Sequence, residues 1–286
     1  MKAKGLSWLK DYMNRNELIS QYVRINRAFE KSYFPKIKKA LHFKVQKVID
    51  DLKEGGYNFA INNLSTDIGN GTLAGEIKDL YVNVGLRHAR LTYRRLQLDV
   101  KKGFGFNESW AKFILDYLNR FLVEKITFEV SNTLRNALMK AITAGTMSGL
   151  SVDGMIAQLE DWPFERYQAA RIVRTEVNRA ANVGATAQSE TSEYEEQKEW
   201  VSVEDFRTRG HKPSDHADHV ELNGVRIDSG DHFTDIRNGD RLQFPGDPNA
   251  SAASTINCRC NAVYLIKRDI NGNPIPKRKS TSVIYP

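Results

Sequence analysis

The sequence predicts an α+β protein in which a long-helical N-terminal region precedes a small α+β C-terminal domain rich in loops and hairpins. Apolar residues recur at helical spacing through most of the first 190 positions. After position 199, short apolar runs bounded by turn residues replace that pattern. The 286-residue chain is 41% hydrophobic and 27% charged, which is typical of a folded globular protein.

The helical region divides into five predicted helices. The first has apolar residues at every third or fourth position from 18 to 52 and ends at Gly55-Gly56. Pro35 lies inside it and is expected to kink or divide it. Further helices are expected over about 72–102, 108–144, 152–160 and 163–189.

The ends of these helices carry recognisable signals. Gly103-Phe104-Gly105 is expected to break the second helix, and Asn107 to cap the third. Ser151 is expected to cap the short fourth helix, and Pro163 suits the first turn of the fifth. The apolar stripes indicate packing within a bundle or against partner subunits.

Beyond the last helix, the pattern indicates strands. Positions 199–203 and 262–266 are predicted strands. Asn223-Gly224, between apolar positions 220–222 and 225–227, predicts a two-residue hairpin. Asn238-Gly239 predicts another turn. A unit of this size has few residues for a core, so we expect a further interaction to hold its loops.

The charge and hydropathy of the sequence limit the partners and the cellular compartment that can be expected. The formal net charge of +7 suits proximity to nucleic acid or acidic protein without showing either. Lys277, Arg278 and Lys279 form a basic run that predicts a mobile terminal arm able to contact phosphate or acidic protein. No apolar run reaches the roughly 20 residues that span a bilayer, and the N-terminus lacks the apolar segment of a secretory signal. We therefore expect no membrane contact and a cytosol-like compartment.

The two cysteines of the chain, Cys258 and Cys260, are too close in sequence for an unstrained disulfide. Two thiolates on one loop can instead bind one structural Zn²⁺ together with histidine nitrogen. His219 is the preferred third ligand and His211 the fourth, with His216 as the alternative. The other interpretation is two buried thiols that pack beside histidines without a metal.

A catalytic interpretation is also open. Asp215-His216-Ala217-Asp218-His219 has the residue types for a metal-bound water and a general base, as in a metal-dependent hydrolase of nucleic acid or cell wall. The chain lacks His-Glu-x-x-His, Gly-x-Ser-x-Gly and a phosphate-binding glycine loop. We therefore predict no catalytic residues and no enzyme activity, with the hydrolase as the alternative and sequence-neutral DNA binding as a third hypothesis.

The arginines of the C-terminal half allow two interpretations. Arg174 and Glu176 lie on the fifth helix, while Arg207 and Arg209 lie in the loop after Trp200. Carboxylates are available to pair with them, which favours a structural ion-pair lattice. A phosphate-binding patch is the functional alternative.

An ordered succession of motifs resembles the phage Mu F-like family of minor head proteins, also called the head morphogenesis family. The motifs are Arg174-Thr175-Glu176 within 171–180, Trp200 within 198–202, Arg207-Thr208-Arg209, His219 five residues before Gly224, Phe233, Pro245-Gly246-Asp247-Pro248 and Asn257-Cys258-Arg259-Cys260. They cover about residues 145–267. The extra histidine at position 216 makes the match of His219 to the family histidine less direct.

The resemblance implies a structural role. Members of the family are minor components of tailed-phage heads that associate with the portal and act in head assembly and DNA packaging or delivery. It implies that the helical region over 1–150 docks on portal or shell and that 151–267 is the Mu F-like domain, while composition predicts a basic mobile tail over 268–286. The implied partners are portal protein, major capsid or scaffold subunits and packaged DNA, and the implied location is the virion after assembly in the host cytoplasm.

Overall fold

A computed structural model describes residues 7–64, 70–96, 108–121, 126 and 128–277 of the chain. Its helices are α1 (Ser7–Asn63), α2 (Asn70–Leu96), α3 (Glu108–Phe121), α4 (Phe128–Met147), α5 (Val152–Glu160), α6 (Phe164–Glu190) and α7 (Ala252–Thr255). Its strands are β1 (Glu196–Val201), β2 (Arg226–Asp228), β3 (Phe233–Thr234), β4 (Arg241–Leu242) and β5 (Asn261–Ile266). The predicted α+β class is confirmed.

The first helix does not divide at Pro35. Helix α1 continues on both sides of this proline, and its non-helical residue is Gly56, with φ of 68°. A proline inside a helix costs about 3 kcal/mol, through one lost hydrogen bond and the clash of its ring with the preceding turn. Tyr33 and Ile37 are buried on either side of Pro35, and their packing offsets that cost.

The helix expected over 108–144 is described in two parts, α3 and α4, and residues 122–125 and 127 between them lie outside the described residues. The two pack in different places: α3 lies against α2 and α6, whereas α4 lies against α1. Ile126, between them, is buried in the core. The predicted break at Gly103-Phe104-Gly105 and cap at Asn107 lie outside the described residues.

The predicted helices over 152–160 and 163–189 are confirmed as α5 and α6. Ser151 caps α5, because its Oγ accepts a hydrogen bond from the Gly154 backbone N–H at 3.1 Å. Helix α6 begins at Phe164, directly after Pro163. It is the central helix, contacting α1, α2, α3 and β5, and most of its residues after Ile172 are buried.

Helices α2 and α6 cross where two glycines meet. A Cβ atom on Gly184 would lie 2.0 Å from the backbone oxygen of Gly85, far inside contact distance. Only glycine at position 184 therefore permits this separation of the helices. The close crossing sets α6 deep in the bundle, with the far end of α6 directed toward the C-terminal strands.

The C-terminal unit contains a three-stranded antiparallel sheet of order β2-β1-β5 and a β3-β4 hairpin. Strand β5 confirms the one expected over 262–266, while β1 begins three residues before the predicted 199. The Asn238-Gly239 turn lies between β3 and β4, with φ of 76° at Gly239, as predicted.

The prediction of a hairpin at Asn223-Gly224 is wrong, because the two segments that flank this turn do not pair with each other. Strand β2 pairs with β1, and 220–222 is turn rather than strand. The turn is attached to β1 instead: the Gly224 N–H donates to Trp200 O at 2.8 Å, and Asn223 Oδ1 accepts from the Ser202 N–H at 3.0 Å. These two bonds compete with the local hairpin and replace it.

Three groups of buried apolar side chains hold the fold. The largest is continuous from α1 through α6 to Ala262 and Tyr264 of β5, so it extends across position 150. A second, around Trp200, contains Phe233, Cys258 and Cys260. A third joins Tyr22 of α1 to Val201 and Val263 of the sheet. Among the described residues, no helix has the length and apolarity needed to cross a membrane.

Candidate metal centre and its surroundings

His219, Cys258 and Cys260 converge in the second apolar group. The Nδ1 atom of His219 lies 3.7 Å from the Cys258 Sγ and 3.6 Å from the Cys260 Sγ. All three ligand atoms lie within 4.8 Å of one another. The residues are 1%, 2% and 4% exposed, so the cluster is closed to solvent.

These distances fit a tetrahedral zinc site. Zinc bonds of about 2.3 Å to sulfur and 2.0–2.1 Å to nitrogen, at a tetrahedral angle, place the two ligand atoms about 3.6 Å apart. Both cysteines are free thiols. The three side chains can therefore hold one zinc ion, and they leave its fourth position to another ligand.

Backbone contacts position the histidine. The His219 N–H donates to Arg209 O at 2.9 Å, which ties the histidine to the Arg207-Thr208-Arg209 element. The Trp200 ring meets the imidazole edge-on, with centroids 5.1 Å apart. His219 Nε2 is buried and has no hydrogen-bond partner among the described residues. The Nδ1 atom faces the two sulfurs, so it is the nitrogen placed to bind a metal ion together with them.

The cysteines lie on the loop between α7 and β5. The Cys258 N–H donates to Thr255 O at 3.2 Å, and the Cys260 N–H points at Cys258 Sγ at 3.5 Å. Helix α6 holds the loop from the other side, because Asn178 and Asn182 both donate to Cys260 O, at 3.1 and 3.2 Å.

The two thiols differ in acidity. The hydrogen bond from Cys260, together with His219 and Arg209, holds the pKa of Cys258 well below its usual value. Burial and the neighbouring Cys258 raise the pKa of Cys260 well above its usual value. Of the two thiols, Cys258 is therefore the one more readily deprotonated.

The structure does not bring the other two candidate histidines to the cluster. His211 and His216 are exposed, and among the described residues the group that can share one ion is His219 with the two cysteines. Asp215 accounts for this arrangement, since its Oδ2 accepts from the N–H groups of Gly210 at 2.9 Å and Lys212 at 3.0 Å. The loop is thereby turned outward, away from the sulfurs.

Glu176 and Arg179 form a buried ion pair on α6. Their side chains approach to 2.9 Å, and Tyr81 of α2 donates to Glu176 Oε2 at 2.7 Å. Arg179 Nε also donates to Gly246 O at 2.7 Å, within the Pro-Gly-Asp-Pro motif. This set links α2, α6 and the C-terminal loops through charge-assisted hydrogen bonds.

Asp205 is the partner of two other motif arginines. Arg259 Nη1 and Nη2 donate to its two carboxylate oxygens at 2.6 and 2.5 Å, and Arg207 lies at 3.3 Å. The Arg259 guanidinium holds the pKa of Asp205 far below its usual value. Arg209 donates to Ile256 O, while Arg174 donates to Asn257 Oδ1 at 3.0 Å. Each motif arginine thus has a partner within the protein.

Asn182 is a structural residue that the sequence reasoning missed. Its Nδ2 donates to Pro245 O at 3.0 Å and to Cys260 O, and its Oδ1 accepts from the Ala262 N–H at 2.7 Å. The only sequence signal is an amide on the apolar side of a helix, which by itself does not name a partner.

Residues 268–277 are attached to the body of the protein. The Lys267 N–H donates to Glu195 O, and the Glu195 N–H donates to Ile275 O, both at 2.8 Å. The Lys277 Nζ donates to Ser189 O at 2.8 Å, at the end of α6. This part of the predicted basic tail is therefore fixed against the sheet. Arg278 and Lys279 lie outside the described residues.

Together these features define an α+β protein whose C-terminal unit surrounds a closed His–Cys cluster. Residues 132–263 match the family model described as Phage Mu protein F like protein. The match confirms the resemblance, and this part of the chain is a Mu F-like region of the kind found in a phage head morphogenesis family. It begins inside α4 and ends inside β5. No curated protein and no solved structure matches the chain.

Proposed function

We propose that the protein is a minor head protein of a tailed phage or prophage that acts at the portal vertex, in head assembly and in DNA packaging or delivery. The observation that carries this proposal is the Mu F-like match over 132–263, which contains every residue of the His–Cys cluster. Portal protein and major capsid or scaffold subunits are the proposed partners. The proposed location is the virion, after assembly in the host cytoplasm.

The helical region supports a docking role. Phe43 of α1, Phe128 and Met147 of α4, and Tyr167 of α6 are large apolar side chains that are more than half exposed. Exposed apolar residues on helices are common at protein–protein interfaces. We propose that these helices contact the portal or the shell.

Copy number in particles tests the proposed location. Quantitative mass spectrometry of purified heads is expected to find a few to about a dozen copies, in a fixed ratio to the portal subunit, as portal symmetry requires. Protein that is absent from heads and soluble in the lysate contradicts the proposal and favours the hydrolase alternative.

We infer that the His–Cys cluster binds one structural zinc ion. The cluster supports this role, since three ligand atoms lie at zinc-compatible distances in a closed site. A catalytic zinc needs access for substrate and water, whereas these three residues are buried. Zinc at this position would hold the α7–β5 loop to the segment that follows Arg209.

Metal content tests the zinc site. Protein purified without chelator is expected to contain about one zinc per chain, and Cys258→Ser or Cys260→Ser to contain none. Each substitution is expected to lower the melting temperature by roughly 10 °C, as a loss of about 3 kcal/mol would.

The exposed histidines supply matched controls for that experiment. His211→Ala and His216→Ala remove an imidazole outside the cluster, so both variants are expected to keep zinc and the melting temperature. A protein that neither retains zinc nor rebinds it, and whose cysteine variants melt normally, would contain two packed thiols and no metal site.

A further inference from the structure

A small polar cleft separates α1 from the loop of the two cysteines. Its volume is about 110 Å³, and it lies between the helix segment 23–30 and residues of α6 and the C-terminal loops. Four arginines line it, Arg27, Arg174, Arg207 and Arg259, and they come from separate parts of the chain. The structural lattice explains three of them, but it does not use Arg27.

Arg27 lines the cleft, and its guanidinium group makes no hydrogen bond or ion pair in the described part of the chain. The acidic residue of the cleft is Glu30, one helical turn away. No ion pair within 4.0 Å joins Glu30 to any of the four arginines among the described residues. Burial raises the pKa of Glu30, despite the opposing effect of the arginines. The cleft therefore contains four guanidinium groups and one carboxyl group, that of Glu30.

Three asparagines that line the same cleft have an amide oxygen without a donor. The Oδ1 atoms of Asn26, Asn178 and Asn261 are buried and make no hydrogen bond to any described residue. These residues are 7%, 3% and 4% exposed. The amide orientation of Asn178 is set by its Nδ2, which donates to Cys260 O. Buried polar atoms without a partner are rare in folded proteins, and they indicate water or a ligand.

The ligand must both accept and donate hydrogen bonds. Guanidinium groups bind carboxylate or phosphate oxygens, while the three amide oxygens need N–H or O–H donors. An extended peptide with an acidic side chain offers both, because each residue also carries a backbone N–H. A DNA phosphodiester offers acceptors only, and it would leave the amide oxygens unsatisfied.

The size of the cleft agrees with a side chain. A volume of about 110 Å³ corresponds to roughly three or four waters at about 30 Å³ each. That space admits the carboxylate end of one side chain, but it does not admit a sugar–phosphate strand.

We propose that this cleft binds an aspartate or glutamate side chain from an extended segment of a partner protein. Arg27 and its neighbouring arginines bind the carboxylate, and the amide oxygens of Asn26, Asn178 and Asn261 accept hydrogen bonds from the backbone of that segment. The site lies in the monomer, so it does not depend on the head-protein proposal.

Titration of the full-length protein with an acidic probe tests the site. The probe is the blocked peptide acetyl-Gly-Asp-Glu-Asp-Gly-amide, measured by calorimetry at low salt. We expect saturable binding that weakens about 10-fold in Arg27→Gln, as expected on loss of a charge-assisted contact. Arg24→Gln is the matched control: Arg24 is exposed on the same helix, outside this cleft, and its loss is expected to leave the affinity within about twofold.

Asn26→Leu tests the amide oxygens separately. Leucine keeps the approximate size and removes the unpartnered oxygen, so the variant is expected to fold with an unchanged or higher melting temperature and to bind the peptide more weakly. Equal affinity in Arg27→Gln and Arg24→Gln overturns the proposal, as does the absence of saturable binding.

Titration with a short DNA duplex tests whether the cleft binds a phosphate group rather than a peptide carboxylate. If the duplex displaces the peptide and its own binding requires Arg27, the cleft is a phosphate site and the peptide proposal is wrong. Failure in any of these titrations leaves the copy number in heads unaffected, so the two proposals are tested independently.

Discussion

At the scale of single residues, His88 is the least satisfied polar side chain of the helical region. It is fully buried, it stacks on Tyr22 with ring centroids 5.1 Å apart, and neither ring nitrogen has a hydrogen-bond partner among the described residues. Burial lowers its pKa to about 3. The imidazole is thus neutral in the folded protein and packs as an aromatic ring.

Replacement of this ring by phenylalanine tests that description. The folded pKa lies below the unfolded value of about 6.5, so the unfolded chain binds more protons between them. Stability is therefore fully present above about pH 6.5 and falls as the pH drops toward 3, by up to about 1.4 kcal/mol per unit. His88→Phe removes this contribution, and it is expected to raise stability by about 1–3 kcal/mol at neutral pH.

Urea unfolding across that pH range is the measurement. His232→Gln provides the control, because His232 is exposed and its loss is expected to leave the pH dependence unchanged. If His88→Phe and the parent protein show the same pH dependence, His88 is not buried in neutral form.

At the scale of elements, the crossing of α2 and α6 determines where the C-terminal unit sits. Gly85 and Gly184 allow the two backbones to approach, and α6 carries the contacts to the cysteine loop. After Ile172, α6 is buried along most of its length, and its buried residues there include Ala180, Ala181, Ala185 and Ala187. The position of one glycine therefore controls the packing of the central helix.

Gly184→Ala is expected to destabilise the protein by about 3 kcal/mol, because the new methyl group overlaps Gly85 O and the helices must separate. Gly75→Ala is the control on α2, where an added Cβ meets no atom within 4 Å. That change is expected to stabilise the helix by about 0.5–1 kcal/mol. Thermal unfolding compares the two variants, and an unaffected Gly184→Ala would mean that the crossing is looser than described.

At the scale of the whole molecule, helix α6 joins the helical region to the C-terminal unit. The main apolar core is shared from α1 to β5, and Asn182 bonds to three backbone groups of the C-terminal loops and β5. A core shared in this way predicts one cooperative unfolding transition, although the functions of the two parts are proposed to differ.

Two probes can follow the unfolding of the helical region and of the C-terminal unit separately. Far-UV circular dichroism reports chiefly the helices, and thiol labelling reports exposure of Cys258 and Cys260, both buried in the C-terminal unit. In metal-free protein the two midpoints are expected to coincide. Asn182→Ala is expected to separate them, with the thiols exposed at lower denaturant, because Pro245 O and the Ala262 N–H lose this partner and Cys260 O keeps only Asn178. Separate midpoints in the unaltered protein would contradict a shared core.

The sequence by itself determined the fold class, most helix positions and the resemblance to the Mu F-like model that residues 132–263 match. Helix periodicity, the cap at Ser151 and the turn at Asn238-Gly239 depend on interactions between residues close in the chain, which local patterns record. The same holds for the proximity of Cys258 and Cys260, two positions apart on one loop. His219 was also selected correctly as the histidine that lies beside them.

Only the tertiary structure decided which distant groups meet. It turned His211 and His216 outward and replaced the hairpin at Asn223-Gly224 by bonds to β1. It also joined Arg27 to a cleft that α6 and the C-terminal loops complete. These outcomes depend on contacts between residues far apart in sequence, whose energies no local pattern contains.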